Sequence, residues 1–158
     1  MYTGSLHLHS LLRWVLLGLM LVLIYRSFMG RNSNRTFKAG DRKLVLFTLI
    51  TAHLQLIIGL YQYIAGPWGI KLLENATMGE VMKNTLSRFY LVEHAVGMLI
   101  GIALITVANS ASKKASEPQA KWNRLFWLYG IAFVIIMVSV PWPFREVGVN
   151  RHWFPGMK

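Results

Sequence analysis

The chain has 158 residues, 54% of them hydrophobic, with 17 Lys and Arg against 6 Asp and Glu and no cysteine. This length allows a single domain. A net charge of +11 on a soluble protein would suggest nucleic-acid binding. Here the charged fraction is only 15%, which is too small for the surface of a soluble protein, so a soluble nucleic-acid-binding protein is excluded. The lack of cysteine excludes thiolate-bound zinc, iron–sulfur clusters, c-type haem and disulfide bonds. The composition therefore predicts an integral membrane protein with no nucleic-acid partner.

Four apolar segments are long enough to cross a bilayer as helices, which takes about 20 residues each. The predicted spans cover residues 6–28, 44–65, 89–108 and 125–140. The second span ends at Gly66 and Pro67 and the fourth at Pro141, because proline interrupts a helix. The connection between the second and third spans is too polar to cross the membrane. The segments predict an all-α membrane protein, a single up-down bundle of four transmembrane helices.

The connections between the spans predict the orientation of the bundle. The first and third connections carry ten Lys and Arg, whereas the other side of the membrane carries six. Cytoplasmic connections carry the excess of basic residues, so both termini are predicted on the outer, periplasmic side of a bacterial inner membrane. The basic connections need no partner other than anionic lipid headgroups. The first span lacks the flanks of a signal peptide and is expected to be retained.

Titratable side chains inside a span are costly unless they face the bundle interior, so each is a candidate site residue. They are His7, His9, Arg13, His53, Glu93 and His94. At a rise of about 1.5 Å per residue, His9 and His94 lie about 25 Å and about 22 Å above the inner boundary of the membrane, and His53 about 15 Å. His9 and His94 are therefore expected in one outer layer, with His53 below it.

Two histidines on separate helices of a bundle can ligate the two faces of a haem iron. His9 and His94 lie on diagonally opposite spans at similar depth, and His53 and His94 on neighbouring spans form a second possible pair. His94 belongs to both pairs and is the strongest candidate ligand for haem b. Imidazole alone also suits zinc or copper. A site of that kind would use His7, His9, His94 and His152.

Three residues close to these histidines have two interpretations each. Gly97 and Gly101 lie on the His94 face of the third span, where they either give a cofactor room or pack two membrane helices together. Arg13 lies one turn below His9 and either receives a haem propionate or forms a buried ion pair with Glu93. Gly97, Gly101 and Arg13 are therefore candidate cofactor-binding residues.

The second span carries polar residues on two opposite faces. His53 lies about 200° around the helix from Gln55. The face of Gln55 forms a polar stripe of Thr48, Thr51, Gln55 and Gln62. We expect His53 to point inward, which leaves the stripe to contact a second chain, in a homodimer or a respiratory complex. If the stripe points inward instead, His53 is not a ligand.

Four short stretches resemble a known family. They are LHLHSLLRW at 6–14, HLQL at 53–56, RFYLVEH at 88–94 and PWPFR at 141–145. Together they resemble the landmarks of short four-span bacterial membrane proteins described as cytochrome b-like, and the resemblance covers nearly the whole chain. It implies a b-type haem held by His9, His53 and His94. The chain lacks the two histidines on each of two helices that a two-haem electron-transfer bundle needs.

The predicted function is that of a membrane haem b protein in electron transfer or haem handling, with quinol or a respiratory protein as its partner. A non-catalytic accessory subunit of a larger membrane complex is the alternative, with the histidines serving only in packing. A membrane enzyme acting on porphyrin or quinone is the third hypothesis. The chain is similar in length to small four-helix membrane proteins that act on porphyrins, but it lacks the lysine within a span that they are expected to use.

Overall fold

The computed structural model describes residues 2–33, 35–148 and 153, and this part of the chain is all-α. In chain order its elements are α1 (Tyr2–Asn32), α2 (Ala39–Ala65), a 3₁₀ turn (Ile70–Glu74), α3 (Met78–Lys83), α4 (Thr85–Arg88), a π-helical segment (Phe89–Glu93), α5 (His94–Lys114), α6 (Pro118–Ser139) and a second 3₁₀ turn (Glu146–Gly148). Among the described residues, four helices are long and apolar enough to cross a membrane, and they are built on α1, α2, α5 and α6.

The coarse form of the fold prediction is confirmed, because the described chain is all-α and its long apolar helices are compatible with a four-helix bundle. Three of the predicted spans lie wholly within helical segments, and the fourth passes the end of α6 by one residue. The polar connection 67–88 folds into α3, α4 and the first 3₁₀ turn rather than another span.

The ends of α2 follow from ordinary capping chemistry. At its start, the backbone N–H of Lys38 donates to the Asp41 carboxylate at 3.0 Å. At its end, the N–H of Gly66 donates to the carbonyl of Gln62 at 2.8 Å, and Pro67 follows. Because proline has no N–H and clashes with the preceding turn, the helix stops there.

The helices form a bundle in which α1 packs mainly against α2 and α6, and α5 packs mainly against the same two helices. α1 and α5 are therefore diagonally opposite, as an up-down bundle requires. We call the end at which α1 and α5 begin the histidine end, and the end at which α2 and α6 begin the basic end. Among the described residues, the largest fully buried side chains are Trp122 and Tyr129 on α6, which belong to the same apolar cluster as Met20 and Leu23 of α1.

The basic end is closed by a tryptophan and a buried carboxylate. Trp122 is 1% exposed, and its ring covers Gly30 so closely that a Cβ there would lie 2.5 Å from ring atoms. Its Nε1 donates to the carbonyl of Arg35 at 3.0 Å. Asp41 is buried and pairs with Arg26 at 3.2 Å and with Arg35 at 3.0 Å. These contacts hold the beginning of α6 and the beginning of α2 against the end of α1.

Candidate functional site

A cavity of about 170 Å³ opens at the histidine end, between α1, α2, α5 and α6. Its walls are mostly apolar and include Leu16 and Leu17 of α1 and Met98 of α5. The side chains with polar groups that line it are Tyr2, His9, Ser10, Arg13, Gln55, Gln62, Tyr63, Trp68, Tyr90 and His94. A concave site with apolar walls and a few converging polar groups is the usual form of a ligand-binding site.

Two of the three predicted histidines meet at this cavity. His9 comes from α1 and His94 from α5, the diagonally opposite helix, and both are half-buried. The His9 ring lies against Gly59 of α2, where a Cβ would be 3.2 Å from its Cε1. The absence of a side chain at Gly59 therefore makes room for the imidazole of His9. The structure brings His9 and His94 to one site, and their role as ligands stays a prediction.

A short hydrogen bond helps to orient the ring of His94. Its Nδ1 lies 2.7 Å from the backbone carbonyl of Ser139, at the end of α6. A carbonyl only accepts, so Nδ1 carries the proton, and in the neutral ring the lone pair lies on Nε2. Metal-ligating histidines usually donate their other ring N–H to a carbonyl or carboxylate in this way, which fixes the tautomer. The rings of Phe89 and Tyr90 lie 6.1 Å and 6.4 Å from the imidazole.

A π-helical segment, Phe89–Glu93, immediately precedes His94. Such segments insert an extra residue into a helical turn and occur frequently at functional sites. Here Glu93 points outward and pairs with Arg88 at 2.7 Å, whereas His94 lines the cavity. The wider turn changes which side chains face inward, and no pattern in the sequence predicted it.

Gln55, one of the residues that line the cavity, is a buried amide with an unsatisfied acceptor. It is 6% exposed, and its Nε2 donates to the backbone carbonyl of His9 at 2.9 Å. Because a carbonyl can only accept a hydrogen bond, the amide atom that faces it must be the nitrogen. The other polar atom of the side chain is then the acceptor Oε1. Within the described part of the chain, Oε1 is buried without a hydrogen-bond partner. A buried acceptor of this kind costs free energy unless a ligand or a water donates to it.

Arg13 lies at the cavity within an aromatic cluster. Its guanidinium is 5.3 Å from the ring of Trp14 and 5.5 Å from that of Trp142. It also donates to the Ser10 hydroxyl at 3.4 Å and to the carbonyl of Trp153 at 3.1 Å. The prediction of a buried pair between Arg13 and Glu93 is wrong, because Glu93 is exposed and pairs with its chain neighbour Arg88.

The prediction that His53 points inward is wrong. His53 is exposed, and its Nδ1 contacts the carbonyl of Leu49, one turn earlier in α2, at 2.9 Å. It lies outside the residues that line the cavity. His53 therefore leaves the ligand set, and the pair left for the cavity is His9 and His94.

The Thr/Gln stripe of α2 faces the bundle, so the surface predicted for a second chain is also wrong. Thr48 and Gln55 are buried, and Thr51 is half-buried. Gln62 lines the cavity and donates to the backbone carbonyl of Ser5 at 2.8 Å. Gln55 and Gln62 thus bond α2 to α1 within one chain, because their amides find backbone carbonyls there. Contact with a partner chain stays a prediction, but the Thr/Gln stripe is no longer the surface proposed for it.

The two glycines of α5 pack helices together. A Cβ on Gly97 would fall on the side chain of Ser139, and a Cβ on Gly101 would lie 2.6 Å from Cγ1 of Ile136. Both neighbours belong to α6. The contacts support the packing interpretation over room for a cofactor, since α6 already occupies the space beside each glycine.

Gly59, Tyr63 and the cavity role of Gln55 were not predicted from the sequence. A signal existed for two of them, because Gln55, Gly59 and Gln62 lie at i, i+4 and i+7 on one face of α2. Glycine between two glutamines on one helical face indicates a neighbour or ligand that comes close.

Within the described residues, no group of three or more His, Asp or Glu side chains could hold a bare metal ion. Of the imidazole-only site proposed from four histidines, His7 is exposed and His152 lies outside the described residues. No known protein-family model, curated protein or solved structure that was compared with the chain matches it. The similarity to cytochrome b-like proteins stays a hypothesis.

Proposed function

We propose that this chain is an integral membrane protein that binds haem b at the histidine end, between His9 and His94, and serves in electron transfer or haem handling. The observation that carries the proposal is the hydrogen bond from His94 Nδ1 to the Ser139 carbonyl, at a cavity that His9 also lines. This bond sets the tautomer of His94, whose basic nitrogen is then Nε2, the atom through which His94 would hold a haem iron.

The other residues of the cavity suit the same group. Arg13 supplies a cation for a propionate, and the ring of His9 lies against Gly59. Bound haem would supply one-electron chemistry. The chain's own residues orient the imidazole of His94, place the guanidinium of Arg13 at the same cavity and supply mostly apolar walls. The cavity of about 170 Å³ is smaller than most ligand pockets, about 300–1,000 Å³, so haem binding requires it to widen.

The experiment is a reduced-minus-oxidised spectrum of the protein, purified from cells supplied with haem, together with iron analysis. We expect the bands of a low-spin b haem. H94A and H9A should abolish these bands, whereas H53A and H7A should leave them unchanged, because those two rings are exposed. A colourless protein with haem supplied, or bands that survive H94A, would overturn the proposal.

Membrane insertion is part of the proposal and has its own support. Large apolar side chains are exposed along each long helix, among them Leu21 at 53%, Phe47 at 59% and Val138 at 64%. A soluble monomer rarely exposes continuous apolar surface of this extent. The basic residues of the first and third connections favour an inner, cytoplasmic basic end, with the histidine end in the outer leaflet and both termini outside.

The absence of cysteine allows a direct test of this orientation. Asn75 lies in the connection at the histidine end and Ser116 at the basic end, and both are exposed. N75C should react with a membrane-impermeant maleimide on intact cells, whereas S116C should react only after permeabilisation. The reverse pattern would contradict the orientation, and recovery of the protein in the soluble fraction would contradict insertion.

A second candidate function, binding of a quinol headgroup, is favoured by Gln55. Its buried Oε1 needs a donor, and a quinol hydroxyl supplies one on a flat ring of a size that an existing cavity of about 170 Å³ admits. A short-chain quinol titrated into haem-free protein should bind, and Q55L should weaken binding about tenfold, the loss of one buried hydrogen bond. Binding that is equal in the wild type and Q55L would reject this candidate.

The accessory-subunit hypothesis has lost one of its supports, since the Thr/Gln stripe faces the bundle of its own chain. Co-purification of iron-free protein with stoichiometric partners would restore it.

A further inference from the structure

A second concave surface lies at the basic end, far along the bundle from the histidines. It is an open groove of about 350 Å³ between the beginning of α2, the end of α5 and the beginning of α6. We call it the basic groove. Four of the residues that line it are cationic: Lys38, Arg42, Lys113 and Lys121.

The positive charge of the basic groove is not neutralised by the residues that line it, none of which is acidic. Two acidic residues belong to the connections that build it. Asp41 is buried and already paired with Arg26 and Arg35, and Glu117 is outside the lining. Four cations with little compensation repel one another and attract an anion.

The groove also has an apolar side. The Phe37 ring lies 5.6 Å from Nζ of Lys121 and contacts Trp122 edge-on, with the ring centroids 4.8 Å apart. Because Trp122 is buried and hydrogen-bonded, it holds Phe37 in place beside the cations. A phosphate next to apolar surface at the end of a transmembrane bundle is the chemistry of a phospholipid at the membrane interface.

We propose that the basic groove binds the phosphate of an anionic phospholipid from the inner leaflet. This inference rests on the membrane placement proposed above and is independent of haem or quinol. The groove depends on the tertiary structure, because Lys38 and Arg42 lie at the beginning of α2, whereas Lys113 lies at the end of α5 and Lys121 at the beginning of α6. Nonspecific attraction of basic residues to anionic lipid would not require these four side chains to lie together in one groove.

The test measures the Kd of phosphatidylglycerol for the full-length protein in detergent by native mass spectrometry. The double variant K113Q/K121Q should raise that Kd by about 30-fold, which corresponds to about 1 kcal/mol for each lysine replaced. The matched control is K43Q/K114Q, which removes the same charge from two exposed lysines outside the groove. This control should change the Kd less than about twofold.

Equal weakening by the two double variants would overturn the proposal, because it would show attraction by net charge alone. Phosphatidylcholine and inorganic phosphate identify the source of the ligand. The proposal expects both to bind at least about tenfold more weakly than phosphatidylglycerol, and tight binding of inorganic phosphate alone would overturn the lipid assignment. The cysteine-labelling pattern separates failure of this groove from failure of the membrane placement.

Discussion

The two ends of the bundle differ in how well their interior space and buried polar groups are satisfied by side chains. At the basic end, the Trp122 ring fills the space over Gly30, and two arginines neutralise the buried carboxylate of Asp41. At the histidine end, the helices leave a cavity, and the buried Oε1 of Gln55 is left without a donor from the described chain. Leaving a cavity and an unsatisfied acceptor lowers stability. The difference indicates that the contacts of the basic end hold the bundle together, whereas the histidine end leaves space between its helices.

Trp122→Ala should have the largest effect, because it removes the side chain that closes the basic end. A buried Trp→Ala substitution costs about 3–5 kcal/mol of unfolding free energy. The matched control is F47A, which truncates an aromatic ring that is 59% exposed. Reversible unfolding in mixed micelles measures both variants. Similar losses for W122A and F47A would contradict the role of Trp122.

Gly97→Ala should have the next largest effect, and it should alter both the unfolding free energy and the surroundings of His94. The new methyl group would meet Ser139, so α6 must move, at about 1–3 kcal/mol. The displacement also strains the bond from His94 to the Ser139 carbonyl. Gly130→Ala is the matched control, since a Cβ there has no described neighbour within 4 Å, and it should leave stability equal or slightly higher. Equal unfolding free energies in the two variants would contradict tight α5–α6 packing at Gly97.

Gln55→Leu should leave the stability of the ligand-free protein within about 1 kcal/mol of the wild type. The variant loses the bond to the His9 carbonyl, but it also removes the buried acceptor that lacks a donor. Thermal unfolding without and with a bound short-chain quinol separates the two contributions. A large loss in the ligand-free protein would mean that Gln55 serves the bundle, as the residues of the basic end do.

The smallest expected effect is at α3, in the connection at the histidine end. Hydrogen bonds from the backbone and hydroxyl of Thr77 lower the pKa of Glu80 below its ordinary value of 4.5. The carboxylate form therefore stabilises the start of α3 above that pH, and the contribution is lost as the pH falls through the lowered pKa. The protection factors of the α3 amides, which correct for the intrinsic pH dependence of exchange, should fall in acid in the wild type but not in E80Q. The control E74Q should behave as the wild type.

The sequence predicted the elements much better than their contacts. Apolar length and the prolines at 67 and 141 were enough to locate the long helices. Depth along each helix was also predictable, since a constant rise per residue places His9 and His94 at similar levels. The structure brings these two to one cavity because α1 and α5 lie on a diagonal.

Rotation about the helix axis was the weak point of the prediction. His53 and the Thr/Gln stripe occupy opposite faces of α2, and both faces contain polar groups, so hydrophobicity did not distinguish inside from outside. The structure turns the stripe inward, because the amides of Gln55 and Gln62 reach backbone carbonyls of α1. In the same way, the π-helical segment before His94 changes the register that regular helical spacing predicts.

By itself, the sequence determined the number and approximate positions of the apolar helices, the side of the bundle that carries the basic residues, and the levels of the histidines. These properties follow from composition, proline positions and the helical rise, which are local. Only the tertiary structure decided which helix faces meet, which residue pairs with Glu93, and what the glycines of α5 contact. Those outcomes depend on side chains that are distant in sequence competing for the same interior volume and hydrogen-bond partners.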